Sequence, residues 1–313
     1  MTNPTEYPII QTLNLVRTFK KTRAVDGLNL SLIQGELFGL VGPDGAGKTT
    51  TLRLLAGLLD ISEGEALILD YDLKTDAESA KQHIGYMAQQ FSLYAELSVL
   101  ENLRFFAELF DVPQPKIEEQ TNRLLTFAGL TEFKDRRAAN LSGGMQKKLA
   151  LACTLIHQPE ILLLDEPTTG VDPISRREFW NILTELHIQG TTILVSTPYM
   201  DEADRCSKIG LMYEGKLIEC DTPANIKAIL GHEVIELHPE DWKATIELVK
   251  QIKGVREVQT YGESLHLLVD SAEQRLPKIE KTLRKAGLKY YSIRQVPARM
   301  EEAFISLIRR MEK

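Results

Sequence analysis

The nine residues 42–50, GPDGAGKTT, constrain this chain more than any other stretch. They follow the apolar run Leu37–Val41 and precede residues 51–56, TLRLLA, whose composition is helical. That is the strand, glycine loop and helix order that a phosphate cradle requires. Glycine lets successive backbone NH groups turn toward one anion with no Cβ in the way, and the new helix adds the positive end of its dipole. On this reading Gly42, Pro43, Asp44, Gly45, Ala46, Gly47 and Thr50 surround the phosphates. Lys48 supplies a point charge for the outer ones, and Thr49 offers its hydroxyl to Mg²⁺. A glycine-rich turn joining two core elements is the plainer alternative, and the flanking strand and helix argue against it.

With 313 residues the chain suffices for one large domain and a small one. Its net charge of -7 argues against a general grip on nucleic acid, so no nucleic-acid partner is expected. Cys153, Cys206 and Cys220 are odd in number and widely spaced, which suggests neither a disulfide framework nor a zinc site and fits a reducing cytosol. The polar residues 1–8 lack the apolar centre of a signal peptide, and no run reaches the roughly 18 apolar residues needed to cross a bilayer. Any link to a membrane is therefore expected to run through another chain.

Residues 9–16, 28–33, 65–69 and 84–88 read as strands, and residues 91–129 turn helical, divided by Pro113 and Pro115. An inserted helical lobe over about 90–158 is the simplest account. Phe19, upstream of the phosphate loop, reads either as ordinary core or as an aromatic able to stack on a purine base. Ser142 stands at an N-cap, and Gly143 and Gly144 leave NH groups open to an anion. In residues 161–166, ILLLDE, a buried strand closes on two carboxylates, which is costly unless they manage a cation or water. Asp165 then holds Mg²⁺ and Glu166 polarises the attacking water.

Taken together, GPDGAGKTT, Gln89 after Tyr86-Met87-Ala88, LSGGMQ at 141–146, ILLLDEP from 161 and TTGVDP around Asp172 resemble the nucleotide-binding subunit of an ATP-binding cassette (ABC) transporter over roughly residues 9–230. The resemblance implies an ATPase with ATP and Mg²⁺ as cofactors. It implies that Gln89 links Mg²⁺ and the attacking water to the transmembrane partner, that Phe19 stacks on adenine, and that Asp172 communicates across a dimer. It also implies head-to-tail pairing with a second cassette subunit, so that ATP on one phosphate loop is covered by Ser142, Gly143 and Gly144 of the other. Integral-membrane permease subunits are the further partners, with residues 91–110 and Gln89 as docking surface. The subunit is expected to be cytoplasmic and peripheral on the inner face of the membrane. A soluble ABC switch unrelated to transport is the alternative; neither a long coiled coil nor a second phosphate loop is visible to favour it.

Two positions depart from the family pattern. Pro198 stands where a histidine contacts the γ-phosphate, and proline has neither a side-chain polar group nor a backbone NH. Asp44 replaces the usual asparagine and adds negative charge beside a polyphosphate. A cassette that binds ATP, turns it over poorly and completes a partner's site is therefore weighed beside an ordinary ATPase subunit.

Beyond residue 230 no nucleotide motif occurs. Apolar periodicity reads as strand 234–237, a helix carrying Trp242 and Val249, a hairpin over 255–269, a helix carrying Ile279 and Leu283, and a strand 290–296. This βαββαβ order predicts a ferredoxin-like α+β domain over 231–313, ending in a helix with Met300, Ala303, Phe304, Leu307, Ile308 and Met311 on one stripe. Similar tails occur in cassettes resembling bacterial drug or polysaccharide exporters. The predicted fold is thus an α/β P-loop NTPase cassette, with mixed sheet and inserted helical lobe, over 1–230, followed by that small domain.

Overall fold

The computed structural model describes residues 7–90, 93–229 and 231–311. Phe91 and Ser92, where the helical lobe and its docking stretch were expected to begin, lie outside the described residues, as does Leu230 at the expected domain border. The chain separates into two compact units, residues up to 222 and residues from 223 onward. The division falls eight residues before the expected border, because the short helix after Thr222 groups with the second unit.

The first unit opens with a long hairpin, β1 (Pro8–Phe19) and β2 (Thr22–Ile33). Then come β3 (Leu37–Val41), α1 (Lys48–Leu55), β4 (Glu63–Ile68), β5 (Tyr71–Asp72), α2 (Ala77–Lys81) and β6 (Ile84–Met87). The helical lobe supplies α3 (Val99–Leu109), α4 (Gln114–Phe127) and α5 (Gly143–Leu155). The chain returns through β7 (Ile161–Asp165), α6 (Pro173–Ile188), β8 (Thr192–Thr197), β9 (Lys208–Tyr213) and β10 (Lys216–Asp221).

These strands form two sheets. One is antiparallel, in the order β2-β1-β4-β5; the other runs β10-β9-β3-β8-β7-β6 and is parallel except for the edge pair β9/β10. β3, β7 and β8 are buried at every position, as the apolar runs Leu37–Val41, Ile161–Leu164 and Ile193–Val195 require of strands covered on both faces. α1 lies between the sheets. Its Leu52, Leu54 and Leu55 join Leu15 and Leu28 of the antiparallel sheet to Phe38, Leu163 and Leu194 of the parallel one in a single core. Register then sets the site. Leu40 pairs with Ser196 and Val41 with Thr197, while Asp165 pairs with Ser196, so the carboxyl ends of β3, β8 and β7 stop side by side. Ligands of open α/β sheets bind at such strand ends.

In the lobe, Ser98 and Glu101 form a reciprocal capping box that starts α3, and Pro113 and Pro115 open α4. Buried Asn102 binds the backbone of Tyr94, Leu97 and Ser98, fixing the approach to α3.

The second unit contains α7 (Pro223–Ala228), β11 (Glu233–Pro239), α8 (Trp242–Val249), β12 (Val255–Tyr261), β13 (Ser264–Val269), α9 (Ala272–Lys285), β14 (Tyr290–Val296) and α10 (Met300–Met311). Its four strands are antiparallel in the order β12-β13-β11-β14, the ferredoxin-like arrangement that the βαββαβ pattern predicts. Ile235, Leu237, Leu265, Leu267 and Val269 pack with Val249, Ile279 and Leu283 in a core of its own. Of the stripe on α10, Met300, Ala303 and Phe304 are buried, whereas Met311 is exposed.

Candidate functional site

Gly47 is the N-cap of α1 with φ 103°, a conformation open to glycine, and a Cβ on it would lie 2.3 Å from the carbonyl oxygen of Ala24. The first NH groups of α1, with no side-chain cap, are thus presented at the loop. Lys48, only 3% exposed, extends its ammonium to the carbonyl oxygens of Gly42 at 2.8 Å and Pro43 at 3.0 Å. A third partner is Glu166, whose Oε1 lies 3.2 Å from the Lys48 Nζ. A buried cation with three oxygen partners is held at one place, facing the centre of the loop. Asp44 is exposed at the rim, where solvent screens its charge.

Asp165 closes β7 with no exposed surface. Its Oδ1 accepts hydrogen bonds from the hydroxyls of Thr49 at 2.9 Å and Ser196 at 2.8 Å, while Oδ2 has no partner among the described residues. A buried carboxylate with one oxygen unmatched costs several kcal/mol unless a cation completes it, on the order of a lost ion pair. The donor set of Asp165 carboxylate and Thr49 hydroxyl, hard oxygens beside a phosphate loop, fits Mg²⁺.

Glu166 adopts φ 45°, rare for a residue with a side chain, just where the strand ends. Its NH reaches the Ser196 carbonyl and hydroxyl oxygens at 3.2 and 3.0 Å. Its Oε2 accepts from Gln89 Nε2 at 2.9 Å and the Thr169 hydroxyl at 3.3 Å. The carboxylate is therefore oriented from three sides. The roles of Ser196 and Thr169 escaped sequence reading. Ser196 looks like the polar end of an apolar strand, and only its pairing with Asp165 gives it a role.

Lys48, Thr49, Gln89, Glu166 and Thr169 border a cavity of about 720 Å³ that also takes in Phe19, Asp44, Pro198 and Tyr199, while Asp165 and Ser196 lie buried behind it. Phe19 is not core: it is 42% exposed, with the Arg17 guanidinium 4.8 Å above its ring. Pro198 faces the cavity and offers it no polar atom of its side chain. The loop that carries it is firmly tied down. Tyr199 NH donates to Thr197 Oγ1 at 3.0 Å, and the Arg176 guanidinium lies 4.0 Å from the Tyr199 ring. Buried Glu202 accepts from the hydroxyls of Thr168 and Thr197 at 2.7 and 2.6 Å.

Ser142, Gly143, Gly144 and Asp172 stand apart from this cluster. Ser142 caps α5, accepting from Met145 NH at 3.3 Å, and an added Cβ on exposed Gly143 would meet nothing within 4 Å. Gly144 is pressed against Ser175. Asp172 caps α6, accepting from the NH groups of Ile174 and Ser175 at 3.0 Å each; hydrogen bonding from the Ser175 side chain first, and its NH second, holds the carboxyl below the ordinary range. A hollow of about 270 Å³ touches Gln89 on one side and Gly143 and Gly170 on the other. Lys147, also missed from sequence, spans it by donating to the Gln89 carbonyl at 2.8 Å; burial lowers its ammonium pKa. In the docking stretch Tyr94 and Phe110 are exposed, while Phe105 and Phe106 are half-buried beside Tyr94.

A glycine loop between β3 and α1, with a strand-end Asp-Glu pair beside it, defines a P-loop nucleotide-binding ATPase domain. A family profile described as ABC transporter matches residues 25–169, and Nod factor export ATP-binding protein I of Cupriavidus metallidurans is 34% identical over 301 residues, 96% of this chain and 97% of that protein. The chain belongs to the family of ABC transporter ATP-binding proteins. The daunorubicin/doxorubicin resistance ATP-binding protein DrrA of Streptomyces peucetius is 32% identical over 311 residues, 98% of this chain and 93% of DrrA. The probable multidrug ABC transporter ATP-binding protein YbhF of Escherichia coli (strain K12) is 45% identical over 220 residues, 70% of this chain but 38% of YbhF. The chain thus spans well under half the length of that relative. Among solved structures, CbiO1 of Clostridium perfringens superposes with a TM-score of 0.66 at 28% identity, covering 71% of this chain and 92% of CbiO1. The ATP-binding cassette MJ0796, a dimer in a post-hydrolysis state bound to ADP and Pi, gives 0.63 at 26% identity over 68% of this chain and 98% of that one. No helix among the described residues is long and apolar enough to cross a membrane.

Proposed function

We propose that this chain binds Mg-ATP at the 42–50 loop and couples its hydrolysis, in a head-to-tail dimer, to export through membrane-spanning partner subunits. One observation carries the reading: Lys48, Thr49, Gln89 and Glu166 line one cavity, and buried Asp165, bonded to Thr49 behind it, has one oxygen left for a cation. Thr49 and Asp165 would hold Mg²⁺, with Gln89 as a further expected ligand, and the ion would supply positive charge to the phosphates. The ring of Phe19 is available to the adenine. Lys48 moves its charge from Glu166 to the phosphates, and Glu166, still aimed by Gln89 and Thr169, accepts a proton from the attacking water. The water oxygen bonds to the γ-phosphorus as the bond to the bridging oxygen breaks, and ADP and phosphate leave.

The open NH groups at the tip of α5 belong to a different edge from this cavity, which supports a role on a partner's nucleotide. Asp172, which caps α6, would communicate across the dimer. Relatives named for drug resistance and Nod factor export support export as the direction; membrane-spanning partner chains and a position on the inner membrane face belong to the same reading.

Pro198 adds a second strand to the reading. With no polar group there, Glu166 positions the water without help, so this chain's own site turns over slowly and its LSGGMQ tip serves a partner cassette. Single-turnover hydrolysis by the purified chain is the test. A slow, Glu166-dependent release of phosphate supports the proposal; ATP binding with no Glu166-dependent hydrolysis under any pairing removes it.

A further inference from the structure

The second unit holds a basic cavity that no nucleotide motif accounts for. Leu265, Leu267 and Val269 of β13 point into the core with α8 and α9, so Ser264, His266 and Leu268 face the opposite side of the sheet. α10 covers that side. Nδ1 of buried His266 is bonded to the carboxylate of buried Glu302, and about two turns along the helix Arg309 pairs with Glu257 of β12. A cavity of about 490 Å³ adjoins this second fastening, lined by His232, Arg256, Leu268, Ser306 and Arg310 together with that ion pair.

Arg256 owes its place to a break in strand pairing. Val255 stands opposite Val269 and Glu257 opposite Leu268, which makes Arg256 the extra residue of a bulge, a device that re-aims a side chain. Three guanidinium groups, an imidazole and one carboxylate line the cavity; the carboxylate is paired with Arg309, and Arg310 also donates to the Ile229 carbonyl at 3.4 Å. In a chain of net charge -7 this is a local concentration, not general basicity. His232, partly buried, adds its imidazole to the lining. Guanidinium forks match phosphate oxygens, and the volume suits a small ligand.

We propose that this cavity is a second anion site, separate from the phosphate loop, which takes a phosphate-bearing group, either a soluble phosphate or the headgroup of an anionic phospholipid. Arg256 supplies the main charge, Arg310 and the Ser306 hydroxyl add donors, and Leu268 forms an apolar floor. Arg309 remains on Glu257.

The full chain, its phosphate loop saturated with Mg-ADP, is titrated calorimetrically with inorganic phosphate, and in parallel floated with vesicles of phosphatidylglycerol or phosphatidylcholine. The expected result is a further phosphate-binding event, or capture by the anionic vesicles alone; the first assigns a soluble ligand and the second a lipid. Either signal falls about tenfold or more with Arg256→Gln and with Ser306→Asp, which sets a carboxylate in the cavity, and weakens as salt is raised. Unchanged melting and Mg-ADP affinity in the variants show that the fold is intact, and if one variant unfolds the other carries the test. Absence of both signals, or a signal equal in wild type and both variants, overturns the proposal.

Discussion

At the scale of single residues, the site rests on a few oxygens and nitrogens whose removal has distinct signatures. Glu166→Gln keeps the Gln89 and Thr169 contacts in reach but removes the base, so phosphate release should fall on the order of 100-fold or more while ATP affinity stays within a few-fold. Rapid-quench measurement and nucleotide titration separate the two. Pro198→His should raise single-turnover hydrolysis on the order of tenfold at unchanged affinity, and no change would mean that Glu166 alone sets the rate. Ser196→Ala removes one of two hydroxyls from Asp165 and one acceptor from the Glu166 NH, so it should cost roughly 1–3 kcal/mol of stability, read by chemical denaturation. Lys48, Thr49, Asp165 and Glu166 were legible beforehand because a phosphate loop and an acidic strand end are local patterns. Ser196 and Lys147 were not, since each matters through a partner some 30 or more positions away.

At the scale of elements, β7 was readable as a buried strand because its apolar run has no alternation to mislead. Leu163→Ala in its middle should destabilise the first unit by about 2–5 kcal/mol, seen in its unfolding midpoint, by leaving a cavity beneath the Asp165 end. The ends of β1 and β2 were harder to place. Their turn is Lys20-Lys21, with Lys20 at φ 52° and none of the glycine or asparagine that announces a hairpin, so Phe19 was read as lying between strands instead of closing one. In the second unit, Arg275 grips Asp270 and ties the start of α9 to the end of β13. That hydrogen bond holds the Asp270 carboxyl at about 2, below its model-peptide 3.8. The ionised pair therefore contributes its full stabilisation above 3.8, and the contribution fades as pH falls through about 2. The gap in melting temperature between wild-type 223–313 and its Arg275→Gln variant, followed by circular dichroism, should hold steady from neutrality to about pH 4 and close toward pH 2.

At the scale of the whole molecule, two cores mean two folding units. A chain ending at residue 222 retains every group that borders the nucleotide cavity, so it should bind Mg-ATP within about twofold of the full chain by fluorescence titration. The ferredoxin-like order was legible because helix and strand periods alternate cleanly there; the border was not, because α7 continues from β10 without a glycine or linker to mark the change. The buried contact between Lys48 and Glu166 has a further meaning for how the molecule idles. On the proposed reading a lone ammonium cannot serve two anions fully, so an empty loop leaves the expected proton acceptor tied to its own neighbour until an outer phosphate draws that charge away.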